Sequence, residues 1–511
     1  MGETIIGYAH TPYRPQGRGR LERKKGVVSS NSERKKIGKK TINSLKSGGL
    51  TERIGPRMKK LSRRRFLKAG SFVGAAAMIG FPTIIPSRAF GANDKIVMAT
   101  IGQGGQGNGN MRAFLAPESV QVVAVCDVDS KRMDAAAQVV NERYGNQDCR
   151  KYSDYREIMA RRDIDAVTVC TPDHWHAVIS VAAAKSGKHI YCEKPLANSI
   201  AESKAVRDAV RKYNVVLQTG SHERSRANAR YAAELVRNGY IGKLQTMYIQ
   251  MPTVEAHHQQ IRQFKEVPPG MQKIPAELDF DFWMGHTPVV QYYKERVHHQ
   301  WRFNLLYGAG EMSDRGAHVI DIGQLGNNSD DTGPVEIKAR GWDDQHGIYD
   351  TPMEFEFEDT YASGVKLVGG TVVPEGTSPG GRGIKFVGTD GWVFEHIHEG
   401  TLEASNPEWL ELIDENGPLG NENRELRKQF KVDLGRTSSH HGNFLECIRT
   451  GNRPFADVEI GHRSCTVCLL NMISMRLGRA IKWDPVAEQI VGDVEASNLM
   501  MPFWRGSWPL A

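Results

Sequence analysis

Lys194, within Glu193-Lys194-Pro195, and the pair Asp314 and His318, within Asp314-Arg315-Gly316-Ala317-His318, are the side chains with the most chemistry to offer. Lys194 follows an apolar, strand-like run at 189–192, and a lysine at the C-terminal end of a strand is placed to hydrogen-bond a reacting oxygen. An unperturbed imidazole titrates at about pH 6.5, so His318 is suited to accept a proton near neutrality. The four-residue spacing puts Asp314 on the same face of a helical turn as His318, able to orient the ring or bind a neighbouring hydroxyl. Together they fit hydride removal from a carbinol carbon, in which a hydroxyl proton must leave and a developing oxyanion must be stabilised. The plainer alternatives are a solvated loop lysine and an Asp–His pair that only caps a helix or fills a core.

A hydride needs an acceptor, and the chain has a place for one. The apolar run Ile96-Val97-Met98-Ala99-Thr100-Ile101 leads directly into Gly102-Gln103-Gly104-Gly105-Gln106-Gly107, followed by the opening of a helix at 108–115 and a second strand at 120–126. In this setting Gly102 permits a tight turn, Gly104 and Gly105 let the backbone approach a pyrophosphate, and Gly107 allows close packing of helix on strand. Asp127 ends the second strand, where a carboxylate would bind a ribose 2′-hydroxyl and repel a 2′-phosphate. The unit therefore reads as a site for NAD rather than NADP.

The elements that must position these groups alternate. Helical stretches at 130–144, 177–186 and 200–212 separate strand-like runs at 165–170, 189–192 and 215–219, a pattern that predicts a parallel α/β sheet. Ligands of such sheets bind beyond the strand C-termini, so Thr171, Pro172, Glu193, Lys194 and Gln218 are expected to line the cofactor crevice. Later strand-like runs lie at 244–250, 335–340, 353–357, 364–367 and 384–387, with Thr389-Asp390-Gly391 as a hairpin turn.

The net charge of +8 is misleading as a sum, because residues 1–91 carry 21 Lys+Arg against 4 Asp+Glu and leave 46 basic and 55 acidic residues beyond them. An acidic body without a recognisable nucleic-acid motif argues against a nucleic-acid partner. Ser62-Arg63-Arg64-Arg65-Phe66-Leu67-Lys68 precedes an apolar stretch at 69–86 and a small-residue run near Ala89, the order of an export signal of the twin-arginine type. Pro82 and Pro86 interrupt the stretch, which is expected to be cleaved and not kept as a membrane anchor. Met58 would make a normal signal start, so residues 1–57 are expected to be disordered or an upstream extension of the reading frame. The expected domains are thus a signal at 58–91, a dinucleotide-binding domain at 92–220, a second α/β domain at 221–490 and a tail at 491–511. Seven cysteines without paired spacing read as free, mostly buried thiols.

The glycine loop, Asp127, Thr171-Pro172 with His176, Glu193-Lys194-Pro195 and Asp314-x-x-x-His318, with Phe444-Leu445-Glu446-Cys447, Gly461-His462-Arg463-Ser464 and Trp483-Asp484-Pro485, together resemble the Gfo/Idh/MocA oxidoreductases. The resemblance runs from about residue 94 to 485. It implies a Rossmann domain followed by an α+β domain with a large, mostly antiparallel open sheet, one face lining the active site and the other often building a homo-oligomer, here a dimer or tetramer. It assigns Lys194, Asp314 and His318 as the catalytic set and brings His176 toward the cofactor or substrate. Arg315 departs from the aromatic or apolar residue that relatives often carry, which leaves the substrate open.

Further candidates are Trp175 near the nicotinamide end and Trp301-Arg302-Phe303, either a sugar-binding patch of aromatic face and arginine donors or, in Trp301 and Phe303, an ordinary partly buried aromatic pair. His257-His258 and His298-His299 lack acidic or thiol partners at recognisable spacing, so no metal is expected. The Gly/Pro-rich stretch 374–383 reads as a surface loop or lid. Three functions are open: dehydrogenation of a sugar or polyol hydroxyl; a glycosidase or lyase that reduces and reoxidises NAD within one turnover; and a cofactor-binding sensor without catalysis.

Overall fold

A computed structural model describes residues 95–251, 256–344, 346–372, 382–397, 401–410, 423–502 and 504–506. The expected leader, most of the 374–383 loop and the side chain of His257 lie outside the described residues.

Six parallel strands, β1 (Ile96–Ile101), β2 (Val120–Cys126), β3 (Arg150–Tyr152), β4 (Ala166–Val169), β5 (His189–Cys192) and β6 (Leu217–Thr219), form one sheet in the order β3-β2-β1-β4-β5-β6. The order reverses between β1 and β4, the switch point at which a crevice opens beyond the strand ends. Local chemistry sets the crossover helices. Asp129 caps Ser130–Tyr144 by accepting from the amides of Lys131 and Arg132, and Gly145 ends the helix in the left-handed conformation at φ 66°. Ser199 caps Ile200–Tyr213 through the Glu202 amide. The glycine-rich helix begins at Gly105, earlier than its composition suggests, and Asp173–Lys185 begins four residues before the expected 177. Packing against the sheet overrides weak helix propensity at both starts.

The second sheet has nine strands: β7 (Leu244–Gln250), β8 (Glu336–Trp342), β9 (Glu354–Thr360), β10 (Lys366–Gly370), β11 (Gly383–Gly388), β12 (Trp392–His396), β13 (Thr401–Ala404), β14 (Ile481–Asp484) and β15 (Gln489–Ile490), in the order β13-β12-β11-β7-β10-β9-β8-β14-β15. Its neighbours are antiparallel except β7 and β10. Residues 389–391 turn β11 into β12, with the Gly388 amide donating to the Gly391 carbonyl at 2.9 Å. Alternation sorts the faces: Ile337 and Ala339 of β8 and Phe355 and Phe357 of β9 are buried, while Glu336, Lys338, Arg340, Glu356 and Glu358 point outward. The buried face is covered by the helices Gly316–Gly326 and Val458–Leu477, and Gly326 lies so close to the Phe386 ring that a Cβ would sit 2.3 Å from it.

The C-terminal segments also complete the first core. Helix His440–Thr450 inserts Phe444, Leu445 and Ile448 beside Ile96, Met98 and Phe114. All seven cysteines are free, and five of them are buried. No described helix is long and apolar enough to cross a membrane.

Candidate functional site

A cavity of about 570 Å³ extends from the ends of β1 and β2 to the helices Gly310–Asp314 and Gly316–Gly326. Its first half is shaped by backbone. Gly102 has φ +84°, and a Cβ there would lie 2.6 Å from the Cys170 carbonyl; one on Gly107 would lie 1.9 Å from the Gly102 oxygen. Only glycine permits strand end and helix start to approach this closely. The Asp127 carboxylate accepts from the amides of Gln103 (2.5 Å) and Asp129 (2.9 Å), which ties the acidic strand end to the glycine loop. Burial pushes the Asp127 carboxyl above its ordinary value, and these two donors and Arg132 oppose the shift. Glu193 accepts from Asn110 (2.8 Å) and Gln106 (3.1 Å) and so fastens the glycine-rich helix to the end of β5.

The second half is made of charged side chains. Lys194 donates from Nζ to Asp314 Oδ1 at 2.6 Å and to the Asp314 carbonyl at 2.8 Å, and Arg302 Nε reaches the same carboxylate oxygen at 3.3 Å. Burial alone would raise the Asp314 carboxyl; Lys194 and then Arg302 reverse it and hold the group well below the usual carboxylate range. Asp173 meets the opposite fate. Its buried carboxyl is pushed well above the ordinary value despite Arg302 and Lys194. Although Asp314 and His318 belong to two short helices joined at Arg315, which itself stays in the right-handed helical region, both line the cavity.

The expected residues divide as follows. Gly102, Gly104, Gly105, Gly107, Asp127, Thr171, Pro172, Trp175, His176, Glu193, Lys194, Trp301, Arg302, Asp314 and His318 all line this one cavity. His176 spends both ring nitrogens on backbone, with Nδ1 2.7 Å from the Pro195 carbonyl and Nε2 2.9 Å from the Thr171 carbonyl, so it braces the loops after β4 and β5. The Arg302 guanidinium lies 4.5 Å from the centre of the Trp301 ring. Arg315 also lines the cavity, its Nε 2.8 Å from the buried Glu311 carboxylate. His174 turns away, toward the Trp283 carbonyl and the Tyr307 ring. His258 is fully buried in a pair with Glu311, and among the described residues no three His, Cys, Asp or Glu side chains are grouped to hold a metal ion.

Gln218 is a correction. It is buried and donates to the His440 carbonyl at 2.8 Å, outside the cavity lining. The rule of strand ends selects the correct edge of the sheet, but β6 is the outermost strand, two places from β4, and residues 440–457 cover its end.

Residues 96–221 match the oxidoreductase family with an NAD-binding Rossmann fold, and residues 227–398 and 423–510 match the C-terminal alpha/beta domain of the same family. The chain belongs to the Gfo/Idh/MocA oxidoreductase family. It is 44% identical over 92 residues to a levoglucosan dehydrogenase of Pseudarthrobacter phenanthrenivorans, a match covering 18% of this chain and 24% of that protein. It is 28% identical over 210 residues to a glycosyl hydrolase family 109 protein of Saccharopolyspora erythraea, covering 37% and 45% respectively. The matched stretches thus span less than half of these curated relatives. The fold is shared with the structure of a levoglucosan dehydrogenase in complex with NADH and levoglucosan, at 20% identity and a TM-score of 0.52, over 76% of this chain and 99% of that one.

As a Gfo/Idh/MocA protein the chain binds NAD, and its residues fit that cofactor: a strand–helix junction too close for a Cβ at Gly102 or Gly107, helix-start amides beside it, and a carboxylate at the end of β2. Sequence reasoning missed several cavity residues. His222, three residues beyond β6, packs its ring against His318 with centroids 4.8 Å apart, and its Nε2 lies 3.0 Å from the buried Glu223. A polar residue just past a strand end was the available signal. Arg132, Leu278 and Phe282 also line the cavity, and nothing local in the sequence marks them.

Proposed function

We propose that this protein is an exported oxidoreductase that moves a hydride between NAD and a hydroxyl-bearing carbon of a sugar, polyol or glycoside. The observation that carries this reading is the Lys194–Asp314 pair, with His318, in the same cavity as the glycine cradle and Asp127. Bound NAD supplies the hydride acceptor. An ammonium has three donors, two of which Lys194 commits to Asp314, so the third serves the substrate oxygen. Asp314 fixes the Lys194 ammonium, and His318 takes the hydroxyl proton as the C–O bond gains double-bond character. Arg302 offers donors to a carbohydrate hydroxyl, and the largely buried Trp301 ring beneath its guanidinium holds it in place.

Export rests on the twin-arginine pattern at 62–68. Outside the cytoplasm no replenished cofactor pool is expected, so the reading includes NAD carried out bound and regenerated on the enzyme, for which folded export is the suited route. A homo-oligomer formed through the outer face of the nine-stranded sheet completes the proposal.

A second reading, transient oxidation followed by elimination of a glycoside, is favoured by His222. A ketone acidifies the neighbouring C–H bond, and a second imidazole beside His318 could take that proton. One experiment separates the readings: a carbohydrate screen that follows NADH absorbance and product together. Stoichiometric NADH supports net oxidation, glycoside cleavage without net NADH supports the second reading, and turnover of no carbohydrate overturns both.

A further inference from the structure

We propose that residues 277–303 form a strap whose first part, residues 277–298, crosses the adenosine half of the NAD site, latched there by Arg132 and His298, and that cofactor exchange requires this latch to open. The inference rests on the reading that NAD is retained and names what retains it. The strap comes from the second domain yet is stitched to the loop after β2, the loop that carries Asp127. The Ser130 amide donates to the Glu277 carbonyl (2.9 Å), the Asp279 amide donates to the Val128 carbonyl (3.0 Å), and Asp129 and Leu278 pair as an antiparallel bridge. A carboxylate at that strand end marks the adenosine ribose, so the strap crosses where that ribose would lie.

The strap is stiff in its own right. Leu278, Phe280, Trp283, Tyr292, Val297 and Trp301 belong to one hydrophobic cluster. Its back is pinned by Arg505, whose amide donates to the His286 carbonyl (2.7 Å) and whose guanidinium donates to the carbonyls of Gly285 (2.8 Å) and Asp281 (2.9 Å). Leu278, Phe282 and His298 line the same cavity as Gly104, Asp127 and Arg132, so the strap and the cradle are two walls of one space.

At the edge, Arg132 Nη2 lies 2.6 Å from His298 Nδ1, and Arg132 Nη1 comes within 3.3 Å of where a Cβ on Gly104 would stand. Arginine only donates, so Nδ1 of His298 must be the unprotonated nitrogen. The charged groups at His298 are Arg132 and Asp129; burial first and then Arg132 hold the ring below its ordinary value, while Asp129 acts the other way. Protonating His298 removes the acceptor and sets two cations together, so acid below the normal imidazole range opens the latch.

The test loads the purified protein with NADH and follows release by loss of NADH fluorescence on mixing with excess NAD. Arg132→Ala and His298→Ala should each speed release roughly tenfold, the worth of one charge-assisted hydrogen bond. Association should quicken as well, because a gate acts on both rates whereas a lost contact acts on release alone. The double variant should match the faster single one. In the parent, release should accelerate as the pH falls below the ordinary imidazole range, and His298→Gln should flatten that rise. Release at the parental rate in both variants overturns the latch. Faster release in Arg132→Ala alone assigns Arg132 a direct cofactor contact and also overturns it. A parent that purifies without NAD refutes the retained-cofactor reading, whereas the exchange rates of reloaded protein still judge the latch.

Discussion

The two halves of the cavity are built by different means. Around the cofactor, the chain works through backbone: Gly102 and Gly107 bring β1 and its following helix within a distance that no side chain tolerates, and Asp127 spends its carboxylate on two nearby amides. Around the proposed substrate position, it works through side chains far apart in sequence. Lys194 meets Asp314 across 120 positions, Arg302 joins them from a third segment, and His222 stands against His318 from a fourth. A backbone cradle tolerates little change, whereas a set of convergent side chains can exchange members and so change substrate. The cofactor half should therefore fail by losing NAD, and the substrate half by losing turnover with NAD still bound.

The sharpest way to break this comparison is at Lys194 and His318. Lys194→Ala and His318→Ala should each lower turnover on the order of 10²-fold to 10⁴-fold, the usual worth of one positioned acid or base. NAD affinity, measured by titration, should stay near the parent's. Loss of NAD binding in either variant would show that the halves are not separable.

Gly107→Ala should produce the opposite pattern. Its Cβ would stand 1.9 Å from a backbone oxygen that cannot rotate away, so the strand–helix junction must shift. Overpacking of this kind costs about 1–3 kcal/mol, which would weaken NAD by roughly fivefold to a hundredfold if the whole strain falls on the cradle. A titration with unchanged affinity would mean that the junction yields elsewhere. Asp127→Ala is milder. It should weaken NAD by roughly tenfold through the lost ribose acceptor and narrow the preference over NADP, because the repulsive charge goes with it. Parallel titrations with the two cofactors check both effects, and a parent that prefers NADP would contradict the role given to Asp127.

The same division explains how much could be read from sequence. Helix Ser130–Tyr144 was legible end to end because Asp129 and Gly145 are local signals, and β2 because its apolar run stops at an acid. The four-residue spacing of Asp314 and His318 suggests one helical turn, whereas the helix is interrupted at Arg315, and both side chains nonetheless line the cavity. Strands β12, β13 and β14 went unread, since each mixes an acidic residue into a short run, unlike the apolar β4, and takes its identity from the neighbour it pairs with. His222, Arg132 and Leu278 went unread for a related reason: their place on the cavity is decided by how segments cross, and no spacing in the chain records it.

The smallest expected effect tests that boundary at Gln218. The strand-end rule put Gln218 in the crevice, and the sheet order removes it, because the crevice opens at the β1–β4 reversal while β6 is the far edge. Gln218 donates from Nε2 to the His440 carbonyl, and its Oε1 meets no hydrogen-bond partner among the described residues. Gln218→Met, similar in length, removes both the made bond and the unmet acceptor. The His440 carbonyl, in the first turn of its helix, keeps its intrahelical donor, so only the bond from Gln218 is lost, at about 1 kcal/mol, and removal of a buried lone acceptor offsets it. The net change in stability should therefore be within about 1 kcal/mol, and NAD affinity should be unaltered within about twofold. Thermal unfolding and NAD titration read the two quantities separately. A stability change with constant affinity fits a residue that holds helix His440–Thr450 against the sheet edge. A tenfold loss of NAD affinity with unchanged stability would return Gln218 to the crevice and show that the cofactor reaches past β5.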